Sequence, residues 1–524
     1  MKLSRRDVLR LAAGVGMLPM TAWVTACGDD DDSGVLGPEG LFSHGVASGD
    51  PTATAVILWT RIAPETLGAV RVDWEIAEDR DFRRMVGAGA VMTDESLDYT
   101  VKVDADGLDG GTTYYYRFVS QRRTSPIGRT RTAPAGAADR LRFAVASCSK
   151  YSRGLFLAYR NIAARADLDA VIHLGDYIYE DAAASEMRPH DPPYEILTLD
   201  DYRTRYAQYR GDPHLQEAHR QHPFITVWDD HESTNNSWRD GADGHGESEG
   251  DWFERKATAQ RVYSEWMPIR VESPDRIFRH IAYGDLVDIL MLDTRLWGRD
   301  EPVDRNNVAG INDPDRSLLG FDQEEWLAEH LQGSTAQWKL IGQQVILSQW
   351  KLSPEPNSQG GGLVGNPDGW DGYDATRRRF YATLRDNGIA NVVVLTGDVH
   401  SSWAMEFTED PNNPETYDPV SGEGSLGVEF VAPGVTNTFV AGVPAEVFTG
   451  PNPHIKYAEA TKRGYIVLDV SATRTQAAWF HFDRIDDESV SEEFAIALST
   501  GDGTSHLVQD DAPTPPPAGA PELA

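Results

Sequence analysis

Four short apolar segments of the chain each end in side chains that bind metal ions. The segments, with the residues that end them, are LRFAVAS (141–147) with Cys148, AVIHLG (170–175) with Asp176, FITVW (224–228) with Asp229, Asp230, His231 and Glu232, and NVVVLTG (391–397) with Asp398 and His400. Short apolar runs with β-branched residues predict buried strands, and ligands of open α/β sheets gather beyond the carboxyl ends of such strands. The sequence therefore predicts a metal site at a sheet edge.

Each of these ends has a structural explanation when it is taken alone. Aspartate often caps a helix or closes a turn, and a free cysteine such as Cys148 is usually an inert interior residue. Four such ends in one chain are much harder to obtain from capping. His231, directly after an Asp pair, could donate a proton to a leaving group or could merely tether its loop through hydrogen bonds.

The residues around these ends predict two kinds of domain. Between 42 and 135 four segments rich in β-branched and aromatic residues, most of them with alternating apolar and polar residues, are separated by Gly/Asp/Pro turns, which is typical of a β-sandwich; they are 55–62, 70–79, 99–108 and 112–121. From residue 141 strands alternate with helical patterns such as 155–166, which predicts a layered α/β domain. The Pro/Ala-rich tail from about residue 507 is expected to be disordered.

Charge and cysteine content narrow the classes of function. The chain has 524 residues, a formal net charge of −34 and a sequence pI of about 4.7. So acidic a surface repels nucleic acid and anionic lipid headgroups, and therefore no nucleic-acid-binding surface is expected. The two cysteines, Cys27 and Cys148, each have another explanation, so we expect no disulfide.

The first residues predict export from the cytoplasm. Arg5 and Arg6 lie in a segment that resembles a twin-arginine signal, and the apolar stretch 11–26 is short for a membrane-spanning helix. Val24-Thr25-Ala26-Cys27 resembles a bacterial lipobox. We therefore expect residues 1–27 to be a signal read by the twin-arginine machinery, Cys27 to carry a lipid anchor in the membrane, and residues 28–41 to be a tether. The protein would be extracytoplasmic, in the periplasm or at the cell surface; the alternative is cleavage after Ala26 with release of a soluble enzyme.

A series of short motifs in a fixed order resembles one family. They are FSHGVASGDP (42–51), VILWTR (56–61), SC (147–148), GDYIYE (175–180), WDDHE (228–232), LDTR (292–295), WDGY (370–373), GDVHSS (397–402) and RGY (463–465). This combination resembles the PhoD-type alkaline phosphatases/phosphodiesterases, a metallophosphoesterase-like family. The resemblance implies an N-terminal all-β sandwich of the Ig/fibronectin-like kind over 42–135, followed by a layered α/β/β/α catalytic domain over 139–506.

The same resemblance implies a centre that contains Fe3+ and Ca2+. Cys148, Asp176, Tyr179 and His400 would surround the iron, in keeping with the affinity of ferric iron for thiolate and phenolate donors. Asp176 would bridge to the second metal, which would also be held by Asp398 and by Asp230, Asn235 or Asn236. Tyr177 lies on the same strand face as Tyr179, so only the resemblance selects Tyr179.

His231 and Arg295 are the candidate catalytic residues, and the sequence has no convincing Ser-His-Asp pattern. Arg295 suits a phosphate clamp because a guanidinium matches phosphate oxygens, while an ion pair with Asp293 or Glu180 is the alternative. The expected reaction is metal-dependent hydrolysis of small organic phosphate esters with release of inorganic phosphate. Phospholipase D-like cleavage of phospholipids and a non-catalytic surface binding protein are the alternatives.

Overall fold

Eight strands form the N-terminal part of the protein. The computed structural model describes residues 40–183, 187–439 and 444–524; the expected signal and nearly all of the tether lie outside them. The strands are β1 (Val46–Gly49), β2 (Ala55–Arg61), β3 (Val70–Ala77), β4 (Met85–Thr93), β5 (Thr100–Asp106), β6 (Thr113–Ser120), β7 (Arg123–Thr124) and β8 (Gly128–Arg131). Strands β3, β4, β6, β7 and β8 make one antiparallel sheet, and β1, β2 and β5 make the facing layer. This is the predicted β-sandwich.

Strand β4 was not among the predicted strands, because glycine and alanine are poor strand formers. Its sequence, MVGAGAVMT, is explained by the neighbouring strand. The Trp74 ring lies so close to Gly89 that a Cβ at that position would be 2.6 Å from the indole Nε1. The small residues are therefore required by the ring that covers them.

The first half of the region after residue 139 alternates strands with helices. Its elements are β9 (Arg140–Ala146), α1 (Leu157–Ala163), β10 (Ala170–His173), α2 (Leu199–Arg210), α3 (Pro213–Gln221), β11 (Pro223–Thr226), the hairpin β12 (Ser237–Trp238) and β13 (Gly241–Ala242), and α4 (Trp252–Trp266). Strands β9, β10 and β11 are parallel neighbours, so their carboxyl ends meet at one sheet edge.

The second half builds another sheet and then returns to the first. Its elements are β14 (Arg279–Tyr283), β15 (Val287–Met291), α5 (Val308–Ile311), α6 (Phe321–Gly333), β16 (Trp338–Gln343), α7 (Asp374–Asp386), β17 (Val392–Thr396), β18 (Ser402–Thr408), β19 (Ser425–Val431), α8 (Glu446–Thr449), β20 (Ile455–Glu459), β21 (Arg463–Ser471), β22 (Arg474–Phe482), β23 (Glu493–Gly501) and β24 (Val508–Asp510). The second sheet has the order β14-β15-β16-β17-β19-β18-β20.

The two large sheets pack face to face with helices outside them. Alternation along a strand sends successive side chains to opposite faces. Ile289 and Val393 accordingly join the core between the sheets, where the rings of Phe143 and Tyr283 touch with centroids 5.1 Å apart. Leu290 and the residues that alternate with the inner set instead pack on α6 and α7. The predicted α/β/β/α layering is confirmed.

The sandwich and the catalytic region share a sheet, whereas the sequence predicted two successive domains. The first sheet has ten strands in the order β24-β23-β22-β21-β9-β10-β11-β1-β2-β5. Its continuity depends on parallel pairing of β1 with β11, with Ser48 opposite Pro223 and Gly49 opposite Phe224. One layer of the sandwich is therefore an extension of the sheet that contains β9, β10 and β11.

The tail at 507–524 differs from the expected disordered segment. It contains β24, which pairs with β23, and its backbone receives hydrogen bonds from side chains elsewhere in the chain. Arg140 donates to the carbonyl of Pro515 at 2.6 Å, and the Tyr115 hydroxyl donates to the carbonyl of Glu522 at 2.7 Å. These donors order a segment whose composition alone does not predict a fixed structure. Across the described ranges, no helix is both long and apolar enough to cross a bilayer.

Candidate active site

The four predicted strand ends meet at one place. Three follow β9, β10 and β11 in the first sheet, and the fourth follows β17 in the second. Three overlapping groups have potential ligand atoms within 4.8 Å of one another; they are Cys148 with Asp176 and His400, Asp176 with Asp230 and His231, and Asp229 with Asp230 and Asp398. Asp176 and Asp230 each belong to two groups, so the arrangement is one continuous cluster.

The backbone at the cluster is held in an unusual conformation. Cys148, Asp176, Asp398 and His400 have φ of 59°, 55°, 59° and 52°, in the left-handed region that residues other than glycine rarely adopt. Such strain persists where the surrounding structure dictates it, and it is concentrated at functional sites. Gly175 permits the turn, because a Cβ there would lie 2.5 Å from the backbone nitrogen of Asp229. The strand ends thus turn sharply and direct their side chains to a common point.

One side of the cluster combines a thiol, a phenol and an imidazole. The Tyr179 hydroxyl donates to Asp176 Oδ2 at 2.7 Å and lies 3.2 Å from His400 Nε2. Asn437 Nδ2 in turn donates to the Tyr179 oxygen at 2.8 Å. Burial raises the pKa of the Cys148 thiol and of the Tyr179 phenol, and the Asp176 carboxylate raises both further. Both groups are therefore protonated unless a cation binds them.

Tyr177, the competitor of Tyr179, points elsewhere. Its hydroxyl lies 2.9 Å from His219 Nε2, on the helix side of the sheet. Of the two tyrosines, Tyr179 is the one at the cluster.

The other side of the cluster is a group of buried carboxylates. Burial raises the pKa of Asp398 to about 7, with Arg295 opposing the shift and Asp368 adding to it. Burial also raises the pKa of Asp229 and of Asp230. Carboxylates this close and this buried repel one another, so the site favours cations.

Arg295 lies inside this carboxylate group. Its Nε donates to Asp229 Oδ1 at 2.5 Å, and its two terminal nitrogens donate to Asp368 Oδ2 at 2.8 Å and to Asp398 Oδ1 at 2.7 Å. The side chain is fully buried. The ion pairs with Asp293 or Glu180 that were weighed from sequence are therefore wrong. The guanidinium is hydrogen-bonded to these three acids and also lies 3.7 Å from Asp230 Oδ1, so it is not directed at a ligand as a clamp would be.

His231 is fixed by an acid and faces the open side of the cluster. Its Nδ1 lies 2.6 Å from Glu180 Oε2, and its ring packs 4.1 Å from that of Tyr179. Burial would lower the pKa of His231, but Glu180, Asp230 and Asp176 together raise it well above the usual value. These acids favour the protonated imidazole, and because Glu180 holds Nδ1, Nε2 is the ring nitrogen that remains available to a ligand.

The two candidate amides are placed differently. Asn235 lines the cleft beside His231, and its backbone nitrogen donates to Glu180 Oε1 at 2.8 Å. The side chain of Asn236 instead donates to Asp243 at 3.0 Å, and its backbone nitrogen donates to Asp230 Oδ2 at 2.6 Å. Asn235 is thus the amide that is available to a ligand in the cleft.

Unpaired oxygens indicate that the cluster fits metal ions. Asp176 Oδ1 and Asp229 Oδ2 are buried and have no hydrogen-bond partner among the described residues. Buried carboxylate oxygens are costly unless a donor or a cation satisfies them. With a thiol, a phenol and an imidazole beside them, these oxygens make a donor set that suits two kinds of metal ion, one soft or ferric and one hard.

Four residues that support the cluster were not selected as site residues from the sequence, although Asp229 was named among the strand-end side chains. Asp229 directly precedes Asp230 in the WDDHE motif, and this motif is the signal that could have identified it. Glu180, weighed only as an ion-pair partner, closes the GDYIYE motif. Asp368 and Asn437 lie in loops without regular periodicity, and no local pattern marks them. Asp368 and Asn437 are brought to the cluster only by the tertiary fold.

The cluster opens into a cleft of about 580 Å3. Its wall includes Tyr179, His231 and His400 from the cluster, and it also contains the cationic side chains of Lys150, Arg153 and Arg463. A cleft with cations on its wall beside a carboxylate-rich metal site suits an anionic ligand.

Comparison with known proteins gives a consistent result. The sequence model of the PhoD-like phosphatase matches residues 143–479, and that of its N-terminal domain matches residues 36–134. Alkaline phosphatase D of Bacillus subtilis (strain 168) is 38% identical over 462 residues, which is 83% of this chain and 76% of that protein. A solved structure of PhoD superposes with a TM-score of 0.81 at 34% identity, covering 90% of this chain and 92% of the other. The non-catalytic alternative is set aside, and the chain belongs to the PhoD-like phosphatases, hydrolases of phosphoric esters.

Proposed function

We propose that this chain is an exported phosphatase and phosphodiesterase that works at a centre of Fe3+ and Ca2+. The observation that carries the proposal is the overlap of the ligand groups at Asp176, which places a thiol, a phenol and an imidazole on one side and carboxylates on the other. One carboxylate common to two donor sets of different chemistry suits a bridging ligand between unlike ions.

Each ion would be held by residues of matching chemistry. Cys148, Tyr179 and His400, together with Asp176, suit ferric iron because thiolate and phenolate are strongly donating anionic ligands. The oxygens of Asp230, Asp398 and Asn235 suit calcium, and Asp229 adjoins them. When bound, the ions supply positive charge that polarises the phosphoryl group.

The protein's own contribution to the reaction centres on His231. Glu180 holds its Nδ1 and keeps the ring oriented, so Nε2 is left for the cleft as a proton donor. At that position it can give a proton to the leaving oxygen of an ester. Arg295 acts indirectly, because it fixes Asp229 and Asp398 in place.

Turnover of matched esters tests the proposed activity. The purified protein should contain iron and calcium and should hydrolyse both p-nitrophenyl phosphate and bis(p-nitrophenyl) phosphate. A chelator should abolish both activities, and added ions should restore them. Hydrolysis of the monoester alone would refute the phosphodiesterase part, and preferential cleavage of phosphatidylcholine vesicles would favour the phospholipase D-like alternative. Full activity in a preparation that contains only zinc would refute the proposed metals.

The proposed location rests on the resemblance of the first 27 residues to a twin-arginine signal with a lipobox. Cys27 would carry the lipid, whose acyl chains contribute about 0.8 kcal/mol per buried CH2 group to membrane binding. Cys27→Ala should move activity from the membrane fraction to the soluble exported fraction. Arg5→Lys combined with Arg6→Lys should trap folded precursor inside the cell. An unmodified residue 27 in the intact mass of the mature protein would exclude the anchor.

A further inference from the structure

One arginine in the wall of the cleft lacks an acidic partner. Arg463, the first residue of β21, donates from Nε to the carbonyl oxygen of Thr436 at 3.1 Å. Arg463 forms no ion pair with any carboxylate of the described residues. Its two terminal nitrogens form no hydrogen bond with the described residues. A guanidinium has five N–H donors in a fork. The Nε contact uses one of these donors, and the N–H groups of the two terminal nitrogens remain available to a ligand in the cleft.

The surroundings of Arg463 make this feature unusual. The chain carries 82 acidic and 48 basic residues, so most of its cations have acids nearby. Lys150 in the same wall, for example, donates to Asp181 at 2.6 Å. Burial lowers the pKa of Arg463, and the positive charge of Arg153 lowers it further. A guanidinium without an acidic partner, such as that of Arg463, attracts an anion into the space beside it even in an acidic protein.

A short connection links Arg463 to the metal cluster. Thr436, which anchors the guanidinium, is followed by Asn437, whose side chain contacts Tyr179 and His400. Arg463 is therefore held in the same cleft as the cluster, but it forms no hydrogen bond or ion pair with Asp176 or with the described carboxylates around Arg295. Arg463 therefore lies in the wall of the cleft and is not part of the metal cluster itself.

We propose that Arg463 binds a second oxyanion of the substrate, a carboxylate or phosphoryl group carried by the leaving group. This inference rests on the proposed hydrolysis of phosphate esters at the neighbouring cluster. A planar fork of donors matches the oxygens of either anion better than a single ammonium group does. The preferred substrates are thus phosphate esters with two anionic groups, over esters of neutral alcohols.

The test compares two esters of nearly the same shape, 3-carboxyphenyl phosphate and 3-carbamoylphenyl phosphate, which differ in one negative charge. With the metal-loaded protein, Arg463→Gln should lower kcat/KM for the carboxylate ester about tenfold more than for the amide ester, the range expected for a charge-assisted hydrogen bond. The change should lie mainly in KM, because the contact is present in both the bound and the transition state. High salt should weaken the preference of the wild type.

Two further variants distinguish loss of the proposed contact between Arg463 and the second oxyanion from general effects on charge or folding. Lys462→Gln removes the same charge from the adjacent residue, which pairs with Asp483 outside the cleft, and it should leave the ratio of the two esters unchanged. Arg463→Lys should keep part of the preference, and this variant also serves if the glutamine variant does not fold. Equal losses on both esters would show that Arg463 binds the reacting phosphate or only supports the fold, and would overturn the proposal. So would an unchanged ratio in both Arg463 variants. A wild type that hydrolyses neither ester would instead refute the proposed function.

Discussion

Replacing Arg295 with methionine should destabilise the metal-free protein in a pH-dependent way. The side chain is fully buried and is the common partner of Asp229, Asp368 and Asp398. Methionine fills much of the space but leaves these acids without that charge, although Asp368 keeps Arg299. Removing one partner of a buried ion pair costs about 3–5 kcal/mol.

The expected change in Tm depends on the entropy of unfolding, which increases with chain length. At roughly 2 cal/mol/K per residue, the entropy of unfolding of a 524-residue protein is about 1 kcal/mol/K. A loss of about 4 kcal/mol therefore lowers Tm by about 4 °C. The loss should be smaller at acidic pH. Burial raises the pKa of Asp398 to about 7 even with Arg295 present, so below that value the variant can take up protons and relieve the repulsion.

Differential scanning calorimetry of chelator-treated protein on both sides of pH 7 measures this effect. The gap in Tm between wild type and variant should widen as pH rises through 7, and added calcium should narrow it. Arg295→Lys, which keeps the charge but not the fork, should lie between the two. A variant with the wild-type Tm at alkaline pH, or with a gap that does not change with pH, would show that Arg295 does not neutralise these acids.

Three further predictions concern other parts of the molecule. Asp176→Asn should lower kcat at least about a thousandfold while circular dichroism stays unchanged, because an amide cannot replace the shared charge, and the metal content should fall; wild-type metal content would contradict this. Asn437→Ala removes the donor to Tyr179, so a phenolate-to-iron absorption band should move to longer wavelength, and an unmoved band would exclude phenolate ligation. Burial lowers the pKa of Lys102 from 10.5 to about 8, a cost of about 3 kcal/mol to the folded state at neutral pH. Lys102→Met should therefore be more stable than wild type in urea at pH 7, and the gain should disappear as pH rises from 8 to above 10.5.

The strand ends were predictable because local chemistry marks them. Each is a run of apolar, partly β-branched residues followed at once by acids, an imidazole or a thiol, and the turn that brings them inward lies within the same few residues. The partners of Arg295 were not predictable in this way. Asp368 and Asp398 lie 73 and 103 positions further along the chain, whereas the sequence suggested only Asp293 or Glu180 as ion-pair partners.

The shared sheet and the ordered tail were likewise not predictable from local sequence. The apolar run at 224–228 predicted β11, whereas β1 was not among the predicted strands. Even a correct prediction of both would contain no information that they pair, since any strand of matching pattern could occupy that position. The tail has a composition typical of disorder, and its order comes from donors such as Arg140 and Tyr115 that lie far away in sequence. The order of this tail depends on contacts with the surface on which it lies, and the composition of the tail contains no information about those contacts.

The pairing of β1 with β11 has a consequence for how the protein can be divided. A fragment beginning at residue 139 would uncover the edge of β11, a row of backbone donors and acceptors that is prone to join other chains. It would also lack the strands that flank the segment leading to Asp229 and Asp230. The N-terminal region therefore cannot be exchanged as an independent module. It should melt together with the catalytic region in a single cooperative transition, and the residues after β11 that we propose as metal ligands depend on a strand that lies far before them in the sequence.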